Sequence, residues 1–349
     1  MNGLLPLARS SFILHRSSFG CAPAVQIQAL DKLNSHTLDP LTHALAGATI
    51  AFAATRDRRS LLIGAAAGLL PDVDIFIRSS ADPLLAIEHH RGFTHSLLFA
   101  PAGALVVALP FLRSRFRVAY VAALLAYLSH ELLDAATTYG TRLFWPFSRY
   151  RVGLDVISII DPLFTLILLI AVVSRHRRIA LAALALCLAW LAAGYVQRER
   201  ATAVQTRLAA ARGTQINRAA VFPTFGNTLV WRSIYETDGL LYIDRIRVPW
   251  LGAPTYAPVT SVPLVRADDA DYHRFAWFSD GWTARAPSDP TVIGDARYSL
   301  RSDQYDPVWG IRLAPTQWVD RTRDRKVDVG ALWDEIRGRD PAYRPIEAR

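Results

Sequence analysis

The sequence predicts an α-helical polytopic membrane domain of about six spans, followed by a small β-rich soluble domain. Three observations lead there. Apolar residues dominate positions 40 to 197, seven of the nine tryptophans fall after position 230 in a stretch of ordinary soluble character, and arginines gather in short clusters between apolar runs. At 349 residues the chain is long enough for two such architectures. The net charge of +9 is almost wholly arginine, since Lys32 and Lys326 are the only lysines. No basic stripe interleaved with aromatics accompanies it, so no nucleic-acid partner is expected. Membrane topology accounts for the clusters better. The two cysteines, Cys21 and Cys187, can build neither a disulfide framework nor a zinc–thiolate site. Any metal must be held by nitrogen and oxygen.

Residues 1–38 read as an extension, expected to be disordered, with no clean signal-peptide core. Asp39-Pro40 then offers an N-cap with proline at the first helical position, and the same Asp-Pro-Leu phrase recurs at Asp82 and Asp161. Six apolar segments follow, at roughly 41–55, 60–77, 93–112, 118–135, 161–174 and 179–197. Each is near or below the ~20 residues that cross a bilayer as a helix. Arginine turns separate them in pairs: Arg56, Arg58 and Arg59; Arg113, Arg115 and Arg117; Arg175, Arg177 and Arg178. Those turns must share one side, which the positive-inside rule favours as cytoplasmic, while Arg198, Arg200, Arg207 and Arg212, just after the last span, argue for the opposite orientation. The helical membrane domain is expected over 39–197, a helical stalk over 198–219, a β-rich soluble domain over 220–326, and a short helix with a polar tail over 327–349. Within the β-rich part, Leu229–Tyr235 and Leu240–Val248 flank Asp238-Gly239 and read as a hairpin. Further strands are expected near 273–278, 295–300 and 308–313.

This topology carries the unusual polar residues to one face. His43 opens the first span, Asp72 and Asp74 close the second, His90 and His95 open the third, and His130 and Asp134 close the fourth. Ionisable groups beside hydrocarbon each need a partner, a metal or water. His130 and Asp134, four apart on a helix, share a face and can grip one ion or simply bond each other. Pro71 loosens the turn that would let Asp72 and Asp74 converge. Gly92 permits a bend between His90 and His95, and His89 reads as a surface histidine. Arg91 is suited to binding an oxyanion bidentately, or to anchoring at the interface. Thr42, Thr94 and Ser129 stand beside histidines and could orient them. Together His43, Asp72, Asp74, His95, His130 and Asp134 exceed what one divalent ion needs. Such a set suits zinc or manganese, with room for two ions, and its chemistry is hydrolysis by activated water.

Four ordered phrases, Asp39-Pro40-Leu41-Thr42-His43, Leu70-Pro71-Asp72-Val73-Asp74, His90-Arg91-Gly92-Phe93-Thr94-His95-Ser96 and Ser129-His130-Glu131-Leu132-Leu133-Asp134, cover about residues 39 to 175. They resemble the membrane-bound metal-dependent hydrolase family that includes the LexA-regulated inner-membrane proteins of enteric bacteria. The resemblance implies a multi-pass protein of the bacterial inner membrane and a hydrolase.

The expected function is therefore metal-dependent hydrolysis near the membrane surface, with Arg91 and His90 positioning an anionic group. Membrane lipid is the expected surroundings, and the substrate a small or lipid-like anion, such as a phospholipid or a lipid-linked phosphoester. A transporter would place ionisable residues deep in several spans. A non-enzymatic anchor for a partner-binding domain would tolerate replacement of the His/Asp set.

Overall fold

The computed structural model describes residues 35–324 and 328–346. The extension expected over 1–38 lies outside them as far as residue 34. Helix α1 (Ser35–Thr55) already runs before Asp39, so Pro40 sits inside it instead of opening it. Helix α2 (Ser60–Leu69) buries the small residues Gly64, Ala67 and Gly68, and its two glycines meet α1. A Cβ at Gly64 would lie 2.3 Å from the Gly47 carbonyl oxygen, and one at Gly68 2.5 Å from that of His43. Lipid offers no hydrophobic drive for helix association, so close backbone packing of this kind must supply it. A 3-10 turn, Leu70–Phe76, follows with Pro71 at its start and carries both Asp72 and Asp74.

The third apolar segment is broken. Helix α3 (Leu85–His89), a 3-10 turn at Phe93–His95 and helix α4 (Ala100–Ala108) replace a single span. Helix α5 (Phe116–Ala136) packs Ala119, Ala122, Ala123 and Ala126 against Ala51, Ala67, Ala104 and Ala108. Helix α6 (Pro162–Ser174) is capped by Asp161, which accepts from the Phe164 amide at 3.0 Å. The other Asp161 oxygen accepts from Trp190 Nε1 at 2.8 Å, tying α6 to helix α7 (Arg177–Ala211).

The expectation of six spans needs correcting. Among the described residues only α5 and α7 are long and apolar enough to cross a membrane, and a third arises only if Leu85–His95 and Ala100–Phe111, bent by 77°, count as one. For three of the six segments the reason is length. Helices α2, α4 and α6 have 10, 9 and 13 residues, or about 15, 14 and 20 Å at 1.5 Å per residue, against a hydrocarbon core of about 30 Å. Apolar letters continue through each segment, but Pro71, Gly92 and Pro110 sit where the helices stop.

Helix α7 has 35 residues, about 52 Å, so its C-terminal turns extend well past one bilayer core. Those turns enter the β-rich region, where Ala201 and Val204 join Val221, Trp231, Ile246 and Val248 in one core. Gln205 Nε2 donates to the Ala220 carbonyl at 2.9 Å and to Ser233 Oγ at 2.8 Å. Strands β1 (Arg218–Pro223), β2 (Val230–Thr237), β3 (Leu240–Arg247), β4 (Thr255–Pro263) and β9 (Arg344–Pro345) form an antiparallel sheet in the order 1-2-3-4-9. The β2–β3 hairpin turns at Asp238-Gly239 as expected, with φ of 49° and 75° at the two residues. Strands β5 (Thr283–Ala286), β6 (Asp289–Asp295), β7 (Trp309–Arg312) and β8 (Gln317–Asp320) make a second sheet.

Residues 273–278, expected as a strand, lie in helix α8 (Ala270–Phe278). Asp269 decides this locally by accepting from the amides of Asp271 and Tyr272, which starts a helix. Helix α9 (Val329–Arg337) begins at Asp328, which accepts from the Ala331 amide. The β-rich region docks on the polar end of the helices. Leu84 is buried in one cluster with Tyr272, Phe275 and Phe278, and Arg274 bonds Asp82 at 2.7 Å and Glu88 at 2.9 Å.

Candidate metal centre

Two histidines from different elements meet at the centre of this end. His95 closes the 3-10 turn after Gly92, and His130 projects from the last third of α5. Their Nε2 atoms are 3.1 Å apart. His130 Nδ1 lies 2.7 Å from the Gly68 carbonyl oxygen. A carbonyl can only accept, so Nδ1 carries the proton and Nε2 of the neutral ring presents a lone pair. His95 Nδ1 faces Asp74 Oδ2 at 3.1 Å, which imposes the same tautomer on that ring.

Carboxylates complete the convergence. Asp72 Oδ1 lies 3.5 Å from His95 Nε2 and 3.7 Å from His130 Nε2. Asp134 Oδ2 lies 3.4 and 3.5 Å from the same two atoms. Four acceptors thus face one another with no donor among them. Such a set repels itself unless a cation or an added proton lies between. Five of the six separations among these atoms, all those that involve a histidine nitrogen, are also the right size. Four ligands at 2.0–2.1 Å around a tetrahedral ion stand about 3.3 Å from each other, and these span 3.1 to 3.7 Å. The residues present therefore fit a divalent ion. Three groups among the described residues meet the distance requirement for one: His43, His130 and Asp134; Asp72, His95 and His130; Asp72, Asp74 and His90.

Asp74 has a different position from its neighbour Asp72. It is buried, and both of its oxygens are engaged: Oδ1 with His90 Nδ1 at 2.8 Å, Oδ2 with the Arg91 amide at 3.0 Å and Thr94 Oγ1 at 2.8 Å, besides His95. It braces the whole His90–His95 turn. Arg91 holds φ of 59°, a region where side chains other than glycine are uncommon. Its Nη2 pairs with Asp134 Oδ1 at 3.0 Å and Asp39 Oδ2 at 3.4 Å, and its Nη1 donates to Thr137 Oγ1 at 3.0 Å. His43 reaches Asp134 Oδ1 at 3.2 Å through Nε2 and stacks on the His130 ring at 3.8 Å between centroids.

A cavity of about 1300 Å³ opens beside this cluster, between the helical end and the β-rich region. Asp72, His90 and Arg91 lie on its wall, with Tyr139, Arg151, Arg297 and Tyr298. Burial, with Arg297 and Arg91 nearby, pulls the Arg151 guanidinium down to about 9. Arg297 is also buried, but the Asp295 carboxylate outweighs that cost and raises it. Burial pushes the Tyr298 phenol up.

Comparison with known proteins places the helical region. Residues 38–201 match the family model described as YdjM inner membrane protein. A Bacillus subtilis protein, uncharacterized protein YfhP, is 29% identical over 142 residues, 36% of this chain and 42% of its own length. The Escherichia coli inner membrane protein YbcI is 33% identical over 98 residues, 27% of this chain and 57% of its own. The chain thus spans about half the length of the curated relatives it matches. No solved structure is significantly similar to it.

The structure brings all eight sequence-derived site residues, His43, Asp72, Asp74, His90, Arg91, His95, His130 and Asp134, into this one neighbourhood. Of the hydroxyls, Thr94 does bond the cluster, while Ser129 Oγ donates to the Ala126 carbonyl and Thr42 pairs with Thr165. Asp39 was read only as a cap, yet it contacts both His43, at 3.3 Å, and Arg91. Its i, i+4 spacing to His43 is the one already noticed for His130 and Asp134. Glu131 was also passed over. It is fully buried, and neither carboxyl oxygen has a hydrogen-bond partner among the described residues.

Proposed function

We propose that this is an inner-membrane, metal-dependent hydrolase acting on an anionic amphiphile such as a phospholipid or a lipid-linked phosphoester. The observation that carries the reading is that carboxylate oxygens of Asp72 and Asp134 each lie 3.4–3.7 Å from the paired Nε2 atoms of His95 and His130, the spacing of ligands around one divalent ion. An N/O set without thiolate suits zinc or manganese. A divalent ion held there would supply an activated water and polarise the oxygen of the bond to be cleaved. Asp74 and the Gly68 carbonyl orient the two imidazoles, the role that outer partners of metal ligands play. A second ion, if taken up, would use His43 and Asp134 Oδ1. In this reading the multi-pass topology combines α5 and α7 with shorter helices packed beside them.

The remaining residues handle the substrate. Arg91 is buried beside Asp134 and borders the cavity, so it can hold an anionic group next to the ligand cluster. His90 keeps Nδ1 on Asp74, and its Nε2 has no hydrogen bond among the described residues, which leaves that nitrogen available to the same group. The inner-membrane location rests on the family match over 38–201 and on the name of the Escherichia coli relative.

The test is turnover. Detergent-purified protein should release phosphate or an alcohol from phospholipid and lipid-phosphoester substrates, lose that activity to a chelator, and regain it with zinc or manganese. Asp134→Asn should reduce the rate by about 10² or more, since it removes a ligand charge and the Arg91 partner at once. Full turnover by the chelated protein, or by Asp134→Asn, would refute the reading.

A further inference from the structure

The cavity wall opposite the metal cluster has a composition that ligand binding at the cluster does not require. Arg151 and Arg297 approach it from different parts of the chain. Arg151 follows the helical domain's last polar loop, where Thr141 and Val152 form an isolated antiparallel bridge. Gly140 permits that bridge, because its φ is 63° and a Cβ there would lie 2.6 Å from the Val152 carbonyl oxygen. Tyr139 and Arg151 flank this bridge, and both line the cavity. Arg297 comes from the β-rich region, just after β6.

Their partners differ in a telling way. Arg297 is fixed by Asp295 through Nε at 3.0 Å and Nη2 at 2.7 Å, and Nη2 also donates to the Phe278 carbonyl at 2.9 Å. Its Nη1 has no hydrogen bond among the described residues. Arg151 has no carboxylate partner among them at all, and its one hydrogen bond runs from Nη1 to the Phe278 carbonyl at 3.3 Å. It rests instead on the Trp277 and Phe278 rings, at 5.2 and 5.5 Å. Arg91 and Arg297 lie 5.6 and 5.7 Å from the Tyr139 ring, so one aromatic residue separates the two charges. Tyr298, stacked on Tyr139 at 4.9 Å, has a buried hydroxyl without a hydrogen-bond partner among the described residues. Three guanidiniums and an unsatisfied hydroxyl thus border one cavity, and of the carboxylates beside them, Asp134, Asp39, Asp295 and Asp155, none forms an ion pair with Arg151. Mutual repulsion of this kind is relieved by an anion.

We propose that Arg151, Arg297 and Tyr298 form a second anion-binding subsite, for a phosphoryl group of the ligand, reached across Tyr139 from Arg91. The inference rests on the hydrolase reading for its neighbour but not for its existence. It assigns the β-rich domain a part in ligand selection: a ligand carrying two phosphoryl groups, or a phosphoryl group apart from the scissile one, spans both positions. The phosphoryl group could belong to a lipid headgroup or to a soluble phosphoester, and the subsite chemistry is the same.

The test uses the full chain in detergent with two probes, inorganic phosphate and phosphatidic acid, titrated against tryptophan fluorescence in the presence of a chelator. The wild type should bind phosphate without metal. Arg151→Gln should weaken it at least tenfold, the usual consequence of losing a charge-assisted hydrogen bond, whereas Arg207→Gln, exposed on α7, should not. Arg151→Lys, which keeps the charge, should fall between. Arg151 has no carboxylate to strand, so its removal should leave the melting temperature and the metal content unchanged. Phosphate binding of wild-type strength in Arg151→Gln, no binding in the wild type, or binding that disappears entirely on chelation would each overturn the subsite. Retained binding in a protein that takes up no metal would sink the hydrolase reading and leave the subsite standing. Tighter binding of phosphatidic acid than of phosphate, lost in the same variant, would identify the lipid source, and equal binding the soluble one; either supports the subsite.

Discussion

Gly64→Ala should damage the metal centre without touching it. A Cβ at this position would lie 2.3 Å from the Gly47 carbonyl oxygen and 2.6 Å from Ala51 Cβ. Ordinary contact begins near 3.4 Å, so α1 and α2 must part by about 1 Å, because backbone on the far side cannot yield as a flexible side chain would. Helix α2 ends at the carbonyl of Gly68, which receives the His130 Nδ1 proton at 2.7 Å. A shift of ~1 Å carries that contact to about 3.7 Å, beyond hydrogen-bond range. Overpacking costs about 1–3 kcal/mol, offset by up to ~1 kcal/mol because alanine is the better helix former. The expected outcome is a net loss of roughly 0–2 kcal/mol and, through the freed His130 ring, a ten- to hundredfold weaker metal affinity. Thermal unfolding in detergent and metal titration measure the two. Ala66→Leu, on the exposed face of the same helix, is the control. If Gly64→Ala keeps wild-type melting and wild-type metal affinity, the close α1–α2 contact does not set the site.

Two further predictions concern the region that joins the domains. Burial holds the Asp155 carboxyl up at about 7, against a hydrogen bond from Thr138 that lowers it. The folded protein therefore keeps a proton that the unfolded chain has lost above about pH 4, so this residue's favourable share is full below that pH and is lost as pH rises toward 7. Asp155→Asn, tolerated at a φ of 52°, should raise the melting temperature clearly more at pH 8 than at pH 5; an equal effect at both would contradict the assignment. Arg274→Ala removes the bonds to Asp82, Glu88 and Asp271, which should cost about 1–3 kcal/mol of local stability and speed amide exchange over residues 82–95. Unchanged exchange there would show that the apolar cluster around Leu84 alone seats the β-rich region.

Much of the site was legible because it is local. His130 and Asp134 share a helix face by spacing alone, and the Pro71 and Gly92 breaks signal where chain direction changes. The gathering of His43, Asp72, His95 and His130 followed from alternating topology, even though the span count behind it was too high. That count failed because hydropathy sees letters and not helix ends: the 60–77 segment is apolar on both sides of Asp72 and Asp74, yet its helix stops at Leu69 and gives way to a 3-10 turn. The same turn separates the roles of Asp72 and Asp74, which a spacing of two could not do. The strand expected at 273–278 was lost to a cap at Asp269, four residues before the window that suggested it. Arg151 and Arg297 were invisible as a pair, since only tertiary packing sets residues 146 positions apart against one cavity.

The central claim is that the facing acceptors hold a shared ion. Elemental analysis of the detergent-purified, metal-supplemented protein, beside His95→Ala and Asp134→Ala, tests it most directly. Stoichiometric zinc or manganese in the wild type, lost in both variants while their unfolding stays cooperative, is the result this account predicts. A wild type without metal, or variants that retain it, would contradict the metal centre and the hydrolysis proposed from it.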